Sequence, residues 1–138
     1  MYCSIDDLIK RISLEDLTQL SDDDGDGEYD ENIVNEAIEY AQDIIDGYVG
    51  KKYQVPLDPI PEIIKRIAVD LAIYWLYSRS DEIPEEIENR YKNQIKMLED
   101  IAKGNISIGV LVVEEDGVYQ AGKTLDERIF KINDIENL

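Results

Sequence analysis

"PEIIKRIAVDLAIYWLYSRS" runs from Pro61 to Ser80, and its pattern sets the fold. Ile63, Ile64, Ile67, Ala68, Leu71, Ala72, Trp75 and Leu76 recur at helical spacing along one face, and Ile73 and Tyr77 lie on another. A helix that is apolar on most sides sits at the centre of a domain or packs against a neighbouring subunit. Pro61 suits the first turn, where its missing N–H costs no hydrogen bond. Asp70 falls in the middle. A buried carboxylate needs a partner, and Arg66, one turn back, is the local candidate.

Helical periodicity continues on both sides. From Glu31 to Val49 a broad stripe is formed by Ile33, Val34, Ala37, Ile38, Ala41, Ile44, Ile45, Tyr48 and Val49. Gly50 is a suitable stop, with Lys51 and Lys52 near the negative helix end. "YQVPLDPIP", Tyr53–Pro61, reads as an extended connector, because residues before proline avoid the helical region. Near the N-terminus, Ser4 with Asp7 forms an approximate capping box ahead of Ile5, Leu8, Ile9 and Ile12. Ser13 caps a second short segment carrying Leu14, Leu17 and Leu20.

Pro84 opens another helix that ends at Gly104, with Ile87, Tyr91, Gln94 or Ile95, Leu98, Ile101 and Ala102 on its buried side. After Gly104 the period changes to two, through Ile106, Ile108, Val110 and Val112. "EEDG" then signals a turn and "VYQA" a return strand. The expected fold class is therefore mainly α: a compact helical domain of four to five helices, with a C-terminal β-hairpin and an extended tail. Residues 1–138 form one domain, with a helical core over 1–104 and a hairpin and partner-dependent tail over 105–138.

The 138 residues include no histidine and one cysteine, Cys3. Triads built on histidine and intrachain disulfides are excluded. No apolar run is long enough to cross a membrane, and "MYCSIDDLIKRIS" lacks the basic and apolar regions of a signal peptide, so a cytoplasmic origin is expected. Of the net charge of −18, residues 1–50 supply fifteen acids against two bases, or −13. Residues 51–103 are nearly neutral, with ten acids against nine bases. An acidic N-terminal third disfavours direct nucleic-acid binding and allows solubility, cation binding or a basic partner.

The densest acidic stretch, Ser21–Val34, follows the EF-hand pattern for nine positions. Asp22, Asp24 and Asp26 take positions 1, 3 and 5. Gly27 takes position 6, Glu28 offers its carbonyl at 7, and Asp30 takes 9. Position 12, where a bidentate acid belongs, is Ile33, which weakens calcium binding. The competing reading is a solvated helix cap, with Asp30 at the N-cap and acids near the positive helix end. Weaker constellations are the triplet Glu85, Glu86 and Glu88, better read as a first helical turn; Tyr53, Tyr74, Tyr77 and Tyr91 as a stacking surface; and Lys65 with Arg66 as a phosphate clamp. None of these makes a convincing catalytic site, and no enzymatic role is expected.

"MYCSIDDLIKRI", "AIEYAQDIIDGYVGKKYQVPL" and "IKRIAVDLAIYWL" together resemble Mu-like phage proteins of virion morphogenesis clusters, long catalogued as a domain of unknown function. These are similar to the head–tail connector, or neck adaptor, proteins of tailed phages. The most specific element is Ile45–Val49 followed by Lys52-Tyr53 and Val55–Leu57; family members also tend to carry an Asp/Gly-rich loop before this helix and an element matched by Asp70–Tyr74, while Gly104–Gly109 and the Arg-x-Phe of the tail match more loosely. The resemblance implies a helical structural subunit that assembles as a homo-oligomeric ring between portal and tail-completion or stopper proteins. It implies no enzymatic step, no required cofactor, no membrane and no specific nucleic-acid binding. It places the protein in the bacterial cytoplasm during assembly and then in the virion neck. The alternatives are a calcium-binding module and an acidic DNA mimic, the latter at odds with the nearly neutral middle segment.

Overall fold

The computed structural model describes residues 1–109, together with the backbone at Val113–Glu114 and Gly117–Val118. Five helices follow one another: α1 Ile5–Arg11, α2 Leu14–Ser21, α3 Glu31–Val49, α4 Glu62–Ser78 and α5 Glu85–Lys103. Local chemistry explains their bounds. The Ser4 side chain accepts from the Asp7 N–H while the Asp7 carboxylate accepts from Ser4, a complete capping box. Ser13 caps α2 through the Asp16 N–H, and Asp30 caps α3 by accepting from the Asn32 and Ile33 N–H groups. Pro61 and Pro84 stand at the N-caps of α4 and α5, one residue before the helices begin. At the end of α5, Gly104 adopts φ +86°, a left-handed conformation that side chains with a Cβ resist.

α4 is the central element. α3 and α5 pack along it and against each other, and α1 and α2 lie across its two ends. Ile64, Ile67, Ala68, Val69, Leu71, Ala72, Ile73 and Leu76 of α4 are all buried. Withdrawing each large side chain from water contributes roughly 1.5–3 kcal/mol before ordering costs. Val34, Ala37, Ile38, Ala41, Ile45 and Val49 supply the α3 wall, and Ile87, Leu98 and Ile101 supply the α5 wall.

The all-round apolarity of α4 is thus satisfied inside the chain. Among the described residues only Met1, Leu14 and Ile60 are large apolar groups left exposed. Of the two placements open to such a helix, α4 takes the centre of the domain, with Ile63, Tyr74, Trp75 and Tyr77 only partly buried. Leu14, expected on the buried side of α2 with Leu17, faces water, while Leu17 is fully enclosed.

The alternating stretch after Gly104 is not a strand through Gly109. It is an irregular segment that tucks Ile108 into the core, where its backbone meets the Tyr53 hydroxyl. Further on, Val113–Glu114 pairs antiparallel with Gly117–Val118, Val113 opposite Val118. The rest of the expected hairpin and the tail lie outside the described residues.

Candidate functional site

The acidic loop joins α2 to α3. Its geometry starts at Asp22, where one carboxylate oxygen accepts from the Gly25 N–H (2.8 Å) and the Asp26 N–H (3.1 Å). The other accepts from the Gly27 N–H (2.9 Å). Both oxygens are therefore engaged with the loop's own backbone. The turn they enclose requires φ +74° at Gly25 and +84° at Gly27, which glycine adopts without steric cost. Buried Ser21 closes the base, donating to the Leu17 carbonyl and accepting from the Asp30 N–H.

Of the five candidate metal ligands, the fold brings together three. One oxygen each from Asp22, Asp24 and Asp26 lies within 4.8 Å of the others. The Gly27 N–H, foremost, holds the Asp22 carboxyl below the usual carboxylate range, whereas the hydrogen bond with Asp22 raises Asp24. The other two candidates stand apart: Glu28 is exposed with its N–H on Asp26 (2.9 Å), and Asp30 is occupied as the α3 cap. Ile33, at position 12, packs against the core, and Glu36 is exposed on the next turn. Three convergent carboxylates are about half of the six to eight oxygens that calcium takes.

Two grooves flank α4. At its C-terminal end, a groove of about 840 Å³ lies between α2, α4 and the start of α5. Exposed Asp16, Asp23, Glu82 and Glu85 line it, together with half-buried Tyr77 and Ile83. Arg79 is its one cation among the lining residues. It donates to the Leu20 carbonyl (2.7 Å), pairs with Asp23 and lies 5.9 Å from the centre of the Trp75 ring. At the N-terminal end of α4, a corner of about 340 Å³ gathers Lys10 and Arg11 of α1 with Lys65 and Arg66 of α4.

Asp70 forms the floor of that corner. It is 6% exposed, and its carboxylate accepts from Arg11 Nε (3.2 Å) and Gln94 Nε2 (2.7 Å). Arg66, the sequence-based candidate, instead stands 4.0 Å from Glu62 on the exposed side of α4. A second polar link missed by sequence reasoning is Tyr2. Its hydroxyl donates to Asp46 (2.5 Å) and accepts from the Leu57 N–H (2.8 Å), tying the N-terminus to α3 and the connector. Neither link has a local sequence signal, since the partners lie 24 to 59 residues apart.

The tyrosines do not form one surface. Tyr74 stacks on Tyr91 at 3.9 Å between ring centres, Tyr53 is buried separately, and Tyr77 lines the acidic groove. Glu86 and Glu88 pair with Arg90 and Lys92 one turn on, as a solvated helix start does. Among the described residues no helix is long and apolar enough to cross a membrane.

Comparison with known proteins bears on this arrangement. Residues 2–125 match the family model described as Bacteriophage Mu, Gp36. The chain is 33% identical over 110 residues to the Mu-like prophage FluMu protein gp36 of Haemophilus influenzae, covering 80% of this chain and 77% of that protein. It is 28% identical over 110 residues to gene product J of Escherichia phage Mu, covering 79% and 77%.

Proposed function

The chain belongs to the Bacteriophage Mu, Gp36 family of phage proteins, and on that premise we propose that it is a structural subunit of the virion neck. In this reading it acts as a head–tail connector, assembling as a ring of identical copies between the portal and a tail-completion or stopper protein. It carries out no reaction and requires no cofactor. It resides in the bacterial cytoplasm until it joins the particle.

The observation that carries the reading is the family match over residues 2–125, joined to a helical build in which the acidic side chains organise loops and helix starts. The larger groove is lined by exposed carboxylates with no nucleophile held beside a base. That surface suits contact with a charged neighbour better than turnover of a small molecule.

The test is deletion of the gene from an inducible phage, followed by electron microscopy and mass spectrometry of the particles. Filled heads and separate tails are expected in the deletion, and the polypeptide is expected in intact virions at ring stoichiometry. Infectious particles that lack the polypeptide would overturn the proposal.

A further inference from the structure

We propose that copies of this chain bind one another end to end, the basic corner beside the start of α4 in one copy seating against the acidic groove at the end of α4 in the next. This rests on the ring reading above and names the surfaces that serve it.

The two surfaces are complementary and lie at opposite ends of one rigid element. Lys65 and Arg79 are fourteen residues apart, about 21 Å along a helix rising 1.5 Å per residue. In the basic corner four cations meet three carboxylates, Asp7, Glu62 and Asp70. Arg11 is engaged with Asp70, and Arg66 stands by Glu62. Among the described residues, Lys10 and Lys65 have no carboxylate oxygen within 4.0 Å. In the groove, Asp16, Glu82 and Glu85 are likewise without a cation at that distance among the described residues, because Arg79 is spent on Asp23 and Leu20. Lysine stems are apolar up to the ammonium group, so they cover Tyr77 and Ile83 while the charged tips reach the carboxylates.

Charge also decides which contact is feasible. At −18 per chain, copies repel unless a basic surface is aimed at an acidic one. Among the described residues the exposed large apolar groups, Met1, Leu14 and Ile60, are too few for an interface built on hydrophobic burial. A contact between two different surfaces of one chain is heterologous, so it repeats from copy to copy and ends only when a ring closes.

Two variants test the contact. K10E/K65E makes both ends acidic, and E82K/E85K makes both ends basic. Melting curves first establish that each is folded. Sedimentation at low salt is then expected to show each variant alone with self-association weakened at least tenfold relative to the unaltered chain. An equimolar mixture is expected to form dimers or larger species that disperse as salt shortens the screening length. A mixture that stays monomeric overturns the proposal, as does unchanged self-association of either variant; a dimer found only in the mixture joins the unaltered corner of E82K/E85K to the unaltered groove of K10E/K65E and supports it. Virions without the polypeptide would remove the neck reading and leave an observed contact standing, whereas an inert mixture would remove the contact alone.

Discussion

Replacing Gln94 with leucine isolates one strong interaction in the domain. Asp70 is 6% exposed, and one of its two carboxylate oxygens is satisfied by Gln94 Nε2 at 2.7 Å. Leucine removes that donor and leaves a nearly buried charged oxygen facing an apolar side chain. Hydrogen bonds to charged groups contribute about 1.5–3 kcal/mol, and leucine regains part of this through apolar contact, so a loss of about 2 kcal/mol is expected. For a domain of this size that is a fall of roughly 7 °C in Tm. Arg11→Met is expected to cost at least as much, because it takes away the cation paired with Asp70 and leaves a carboxylate only 6% exposed without its countercharge. Asp70→Leu combined with Gln94→Leu should recover most of the first loss, since an apolar pair leaves nothing unsatisfied. Urea unfolding followed by circular dichroism gives all three values, with an unchanged slope showing that the denatured state is comparable. A Gln94→Leu change under 0.5 kcal/mol, or no loss from Arg11→Met, would refute this account of Asp70.

Other expectations follow from single contacts. Tyr2→Phe leaves Asp46 without its donor and the Leu57 N–H without its acceptor, and should cost about 1–3 kcal/mol in the same unfolding assay. Two glycines should respond in opposite senses: Gly47→Ala, inside α3 with open space at the Cβ position, should stabilise by about 0.5–1 kcal/mol, and Gly27→Ala, at φ +84°, should destabilise by about 1–2 kcal/mol. Burial pushes the Cys3 thiol up to about 12, with the Asp7 charge adding to it, and burial also raises the Tyr2 hydroxyl. Stability from these groups is full below their unfolded values, about 8.5 and 10, and is lost as pH climbs through the folded ones. The native thiol should therefore resist alkylation at pH 8 and react once the chain is unfolded. Calorimetry should show calcium binding no tighter than about 10⁻⁴–10⁻³ M, because Ile33 replaces the bidentate acid; a micromolar constant would refute that weighting.

What could be read from the sequence follows the range of the forces involved. α3 lies where its stripe places it, Glu31–Val49, because a cap at Asp30 and a 3.6-residue period are both local signals. The Ser4–Asp7 box and the turn at Gly104 are legible for the same reason. Asp70 shows where local reasoning stops. Its helical neighbour Arg66 is one turn away, yet the carboxylate turns inward toward α1 and α5, and only tertiary packing brings Arg11 and Gln94 there. Ile106 and Ile108 mimic a strand by alternation but are drawn down by the core near Tyr53, where burial outweighs propensity. At the acidic loop, sequence spacing was sufficient to bring Asp22, Asp24 and Asp26 together. It did not reveal that Asp22 would already be holding three backbone amides.

The enclosure of α4 bears on timing. A newly made copy hides its oily ridge with its own helices, so the described core is finished before any other molecule is met. Were copies to join through the proposed charged faces, the five described helices would need no refolding, and the joint would loosen as salt rises.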